Sequence, residues 1–187
     1  MDRIIYHSTT VKCKPIEAFE FFTLNEHLEK WLTKVADVEP KVGGKYELFW
    51  NPEDKQNDST IGCKILAIVN GKLLCFEWKG PKQFKHFMNT VRPLTNVTVF
   101  FISEPEGTEI HLLHIGWRDS PEWEEARQWF DKAWKMALEE LHRYAGKELR
   151  AFESSPEETE DEILKQAGKR EEARSRTRGP YRKALKQ

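Results

Sequence analysis

The sequence predicts an α+β fold in which a curved antiparallel sheet wraps around a long C-terminal helix. Three observations carry this. Residues 120–150 form one long amphipathic stretch. The segments before it alternate at period two and are joined by hairpin signals, with no repeated strand–helix alternation, which argues against a doubly wound sheet. Two short helical segments follow the first strand.

Taken in order, Ile4 to Cys13 reads as a strand with Ile5, His7, Thr9, Val11 and Cys13 on one face. Pro15 opens a helix over 16–22 that carries Phe19, Phe21 and Phe22. Thr23 or Asn25 caps a second short helix ending near Trp31 and Leu32. Val35 to Glu39 is a brief edge strand closed by Pro40. Gly43-Gly44 marks a turn, after which Tyr46, Leu48 and Trp50 alternate onto one face. The polar run 51–59 reads as a hairpin loop before a strand over 60–69. Asn70-Gly71 predicts a hairpin turn of the mirror-image type, and Leu74, Phe76 and Trp78 then step along the next strand. Residues 79–94 are irregular and read as a loop with a short strand, in which Phe84, Phe87 and Met88 are placed to form a lid. Two more strands, 97–103 and 109–117, are joined at Glu104-Pro105-Glu106-Gly107.

The closing stretch has Ser120 as N-cap and Pro121 at the first helical position, where no amide hydrogen is needed. Trp123, Ala126, Phe130, Trp134, Leu138, Leu141 and Ala145 recur at three- and four-residue steps, which makes one apolar stripe. At about 1.5 Å per residue the helix is roughly 45 Å long, enough to cross a sheet.

The 187 residues suffice for one well-buried domain plus an appendage. The formal net charge of -1 hides a segregation. Residues 153–163 hold six acids and no base, and residues 164–187 hold nine bases and two acids. We therefore divide the chain into a domain over 1–152 and a charged extension over 153–187, helical in part from Ser155-Pro156-Glu157-Glu158 or disordered. Tyr181 alone interleaves its basic run, so nothing supports a stacking platform for nucleic acid. No apolar run approaches the roughly 20 residues of a membrane span. Met1-Asp2-Arg3 does not begin a secretion signal, and Cys13, Cys63 and Cys75 are an odd set without metal spacing. A cytoplasmic protein with reduced thiols is the expectation.

Several local motifs occur in a set order: Pro15-Ile16-Glu17-Ala18-Phe19, His27-Leu28-Glu29-Lys30-Trp31, Glu39-Pro40-Lys41-Val42-Gly43-Gly44-Lys45-Tyr46, Phe76-Glu77-Trp78, Glu106-Gly107-Thr108 and His114-Ile115-Gly116-Trp117, with Trp134 and Leu138 in the last helix. This order resembles the activator-of-heat-shock-ATPase homologue family of the START-like (SRPBCC, Bet v-like) superfamily, over roughly residues 3–145. The resemblance implies a helix-grip fold. It also implies a choice of roles, because the superfamily contains hydrophobic-ligand binders, cyclases and chaperone co-factors.

The residues themselves supply no catalytic arrangement. Gly43-Gly44 precedes no helix and is not a phosphate loop. His111 and His114 lie three apart on a strand and face opposite sides, so they do not share a metal. Glu47 and Glu77 are out of step with their apolar neighbours and face solvent or a partner. What remains is a surplus of rings, seven of them Trp. Trp50, Trp78, Phe101, Trp117, Phe130 and Trp134 are the candidate walls of an apolar cavity, with Tyr46 and His114 as its polar groups. The expected function is binding of a small apolar or amphipathic ligand, or of a protein partner such as a chaperone, without a cofactor or metal. A cyclase-, dehydratase- or hydrolase-type enzyme using the same cavity and a chaperone-associated stress-response protein are the alternatives. The sequence leaves monomer and homodimer both open.

Overall fold

The computed structural model describes residues 3–153. The expectations for the charged extension lie outside them. Eleven elements are described: β1 (Ile5–Val11), α1 (Pro15–Thr23), α2 (Asn25–Trp31), β2 (Val35–Val38), β3 (Tyr46–Phe49), β4 (Ile65–Val69), β5 (Leu73–Trp78), α3 (Lys85–Met88), β6 (Thr95–Glu104), β7 (Gly107–Ile115) and α4 (Pro121–Glu153). Five strands form an antiparallel sheet in the order β1-β7-β6-β5-β4, and β2 pairs with β3. The two sheets are stitched together: the Gly43 amide donates to the Ile65 carbonyl, the Ile65 amide to Gly44, and the Tyr46 amide to Cys63. A continuous curved surface runs from β1 to β2.

The inner face of that surface and one stripe of α4 bury each other. Trp123, Ala126, Phe130, Trp134, Leu138, Leu141 and Ala145 from the helix share one core with Leu74, Phe76 and Trp78 of β5, Val97, Val99 and Phe101 of β6, and Ile110 and Leu112 of β7. The period-two and 3.6 patterns that predicted these elements therefore meet in space. Ser120 caps α4 as expected, its Oγ accepting the Trp123 amide at 3.3 Å. Helices α1 and α2 close one end through Phe19, Phe21, Phe22, Leu28 and Trp31.

Four local readings need correction. The N-cap of α2 is Leu24, with no side-chain cap bond. Asn25 instead uses its side chain to accept the Val38 amide at 3.0 Å. The strand over 60–69 starts only at Ile65, because Gly62 sits at φ 79° and the Cys63 amide turns back onto Thr60. The β4–β5 hairpin forms, but only Gly71 of the Asn70-Gly71 pair has positive φ and the Lys72 amide bonds Val69. That is the pattern of a type II turn, not of the mirror-image type. The irregular segment contains α3 instead of a strand. Phe84 and Met88 are core residues there, so they do not form a lid.

Candidate functional site

Two depressions flank α4. The larger, about 650 Å³, lies on the side of α2, β3 and β5. Helix α4 supplies Trp129, Phe130, Ala133, Trp134, Met136 and Ala137 to it; α2 and its end supply Trp31 and Leu32; Trp50 and Trp78 follow β3 and end β5. Five of the seven indoles thus line one groove. Small side chains at Ala133 and Ala137, one turn apart on α4, leave the space that the rings enclose.

The groove's inner wall is held by hydrogen bonds and ring contacts. The Trp31 indole N–H donates to the Phe21 carbonyl at 2.8 Å, and that of Trp50 to the Leu32 carbonyl at 2.8 Å. Trp50 meets Trp78 edge to face at 5.9 Å between centroids, and Trp78 lies 4.9 Å from Trp134. Its outer lip is exposed: Trp129 keeps 42% and Met136 68% of their surface open. Scattered charges stand at the rim. Lys79 donates to the Ile61 carbonyl, Arg143 pairs with Glu140, and an Asp58 carboxylate oxygen accepts the Lys82 amide at 2.9 Å. Asp58 adopts φ 47°, a left-handed conformation that an aspartate tolerates better than most residues.

Behind the wall sits His114, fully buried on β7 and ringed by Trp117, Phe130, Trp134 and Trp78 at centroid distances of 4.5, 5.3, 6.3 and 6.4 Å. The Trp134 indole donates to its Nδ1 at 3.1 Å. Burial among these rings pushes the imidazole down to about 3, so it is neutral near pH 7. A neutral imidazole that accepts at Nδ1 carries its proton on Nε2, which has no hydrogen-bond partner among the described residues. The Trp78 indole N–H is likewise buried and, among the described residues, unpartnered.

Of the eight candidate residues, Trp50, Trp78, Phe130 and Trp134 line the groove, and Tyr46, Phe101, His114 and Trp117 do not. Tyr46 is a core residue, its ring stacked on Phe76 at 3.8 Å and its hydroxyl donating to the Phe22 carbonyl at 3.1 Å. Phe101 packs between Phe19 and Phe22. Trp117 donates to the His114 carbonyl at 2.9 Å and screens that histidine from outside. Sequence reasoning missed Trp31, Trp129 and Met136. The signal for the last two was present: both are large apolar residues on the polar face of the helix stripe. Glu47 and Glu77 accept the Gly62 and Lys64 amides at 2.8 and 3.1 Å, so they tie the β3–β5 region together.

Among the described residues, no three His, Cys, Asp or Glu side chains converge to hold a metal. No described helix is long and apolar enough to cross a membrane. The geometry is that of a ring-walled groove with a hydrogen-bonded floor.

The profile of the family described as Activator of Hsp90 ATPase homolog 1-like protein matches residues 12–146. No curated protein sequence matches the chain. Similar solved structures include a protein from Mesorhizobium loti, 20% identical, covering 78% of this chain and 98% of its own at a TM-score of 0.63. An HSP90 activator from Plasmodium falciparum is 21% identical, with coverage of 77% and 96% and a TM-score of 0.59. An Aha1 dimer from Colwellia psychrerythraea is 17% identical, with coverage of 74% and 92% and a TM-score of 0.56. At these identities the likeness is one of fold.

Proposed function

Because the chain belongs to the Activator of Hsp90 ATPase homolog 1-like family, we propose that it is a binding module whose working surface is the indole-walled groove beside α4. One observation carries the reading: Trp31, Trp50, Trp78, Trp129 and Trp134, from four separate elements or their ends, line one groove of about 650 Å³. That volume lies within the range of small-molecule sites, which combine apolar walls with a few polar groups. The ligand class is apolar or amphipathic. The rim residues Asp58, Lys79 and Glu139 offer contacts to a polar end. The compartment we propose is the cytoplasm. The three cysteines are free, and burial pushes Cys13 and Cys63 up to about 12, which suits thiols kept reduced and unreactive.

The test is a fluorescence titration of the full chain with an anilinonaphthalene sulfonate dye, beside the variant Ala137→Trp, which fills the groove. Saturable binding that the variant abolishes supports the reading. Absence of binding, or equal binding by the variant, removes it.

A second reading is favoured by the exposure of Trp129 and Met136 at the outer lip. Exposed rings and methionine suit a protein segment laid along the groove. A chaperone is the partner proposed, in line with the HSP90 activator among the similar structures. Under this reading the chain takes part in a stress response. Calorimetry with purified HSP90 discriminates the two: heat of binding lost in Ala137→Trp favours the protein partner.

A further inference from the structure

The curved sheet has two outer edges, and they are treated differently. At one, β2 is only four residues long, and its outward amides are occupied: Ala36 donates to Glu29 Oε1 and Val38 to Asn25 Oδ1, both at 3.0 Å. That edge is closed to a further strand. At the other, β1 runs for seven residues, Ile-Tyr-His-Ser-Thr-Thr-Val, without Lys, Arg, Asp, Glu, Pro or Gly. Its register against β7 is unbroken from Ile5↔His114 to Val11↔Thr108. The bulges, prolines and charges that usually blunt an edge are missing here.

The outward groups of β1 are identifiable. The two-residue turn between Glu104 and Gly107 makes that pair and every second pair along β6–β7 the doubly bonded ones. Thr108, Ile110, Leu112 and His114 therefore point their backbone groups at β1, and Ile5, His7, Thr9 and Val11 receive them. Tyr6, Ser8 and Thr10 are left facing outward. The Thr10 carbonyl agrees, because it accepts His142 Nδ1 from α4 at 2.9 Å. Among the described residues, the backbone groups of Tyr6 and Ser8 on this side have no partner.

Beside the edge lies the smaller depression, about 480 Å³, between His7, Ser8 and Thr9 of β1 and Lys135, Glu139, His142 and Arg143 of α4. With Arg143 paired to Glu140, the depression keeps one charge of each sign, Lys135 and Glu139, which matches a copy of itself better than it matches a peptide of one sign. A dyad through Ser8 sets Ser8 opposite Ser8 and Tyr6 opposite Thr10 of the second copy. The Thr10 carbonyl has a second lone pair for that bond. Because Lys135 and Glu139 line the depression that borders β1, the same dyad puts both depressions on one seam, where Glu139 of one copy can pair with Lys135 of the other.

We propose that β1 is a self-association edge, pairing antiparallel with β1 of a second copy so that two curved sheets join into one. Sedimentation of the full chain tests it, with Ser8→Pro as the edge variant. Proline removes an amide that faces outward, so the β1–β7 ladder is kept. The expected result is a dimer for the parent and a dissociation constant raised by about tenfold or more for Ser8→Pro. In case proline unfolds the strand, Lys135→Glu weakens the dimer and Lys135→Glu with Glu139→Lys restores it. A chain that stays monomeric at millimolar concentration overturns the proposal. So does a dimer insensitive to both Ser8→Pro and Lys135→Glu.

Discussion

The Trp134 indole N–H donates to His114 Nδ1 at 3.1 Å, and this bond ties the floor of the groove to the centre of the sheet. It joins the middle of α4 to β7. It also fixes which imidazole nitrogen carries the proton. A charged His114 would place a second donor against the Trp134 donor and would leave an unpaired charge among four rings.

Acid should therefore weaken the fold through His114. Its folded value is about 3, below the ordinary value of 6.5. As pH falls below about 6.5 the unfolded chain takes up a proton that the folded chain refuses. The stability tied to the neutral imidazole is complete above that pH and is lost as pH falls toward about 3, on the order of 5 kcal/mol in all. Urea unfolding between about pH 7 and 4 measures it. The parent should lose stability more steeply than His114→Phe, and parallel curves for the two would contradict the assignment.

Trp134→Phe should cost about 3 kcal/mol. It removes a large buried ring edge and leaves Nδ1 of His114 as a buried acceptor with no donor. Equilibrium unfolding at pH 7 gives the number, and nitrogen-15 shifts of His114 report whether the proton still sits on Nε2. A loss below about 1 kcal/mol would mean that the pocket around His114 collapses or admits water.

How legible was this in the sequence? The α4 stripe, the inward faces of β5, β6 and β7, and the opposite orientations of His111 and His114 all follow from local periodicity, and the structure agrees. Trp50, Trp78, Phe130 and Trp134 were candidates because rings clustered at strand ends and on the helix. Tyr46 and Phe101 looked equivalent to them. What separates the two sets is lateral position across the sheet: Tyr46 and Phe101 lie under α1 by way of Phe22, and a strand's period does not encode its neighbours. Trp129 and Met136 escaped for the opposite reason. An apolar residue on the solvent side of a helix is an ordinary finding until a groove is seen beside it.

Trp129→Ala separates the groove's function from the fold. Trp129 is substantially exposed and, among the described rings, touches only Phe84 and Phe130. Its loss should change stability by no more than about 1 kcal/mol. It also removes most of one groove wall, so dye affinity should drop by about tenfold, which is roughly 1.4 kcal/mol. Melting temperature and dye titration on the same sample decide the matter. Unchanged dye affinity would shift the binding surface deeper, toward Trp50 and Trp78.

The turn before β3 makes the last prediction, because its two glycines are there for different reasons. Gly43 has φ 76°, and nothing lies within 4 Å of where a Cβ would project. Alanine there meets only the backbone cost of the left-handed region, about 1 kcal/mol. At Gly44 the space is missing: an added Cβ would sit 2.2 Å from the Glu39 carbonyl oxygen and 2.9 Å from that of Lys41. Both obstacles are backbone, and the Gly44 carbonyl also accepts the Ile65 amide that joins β3 to β4. Gly44→Ala must push the 39–41 turn away and loosen that junction, at a cost of about 3 kcal/mol or more. Thermal unfolding of the two single variants should rank Gly44→Ala well below Gly43→Ala, and equal losses would show that the 39–41 turn yields freely.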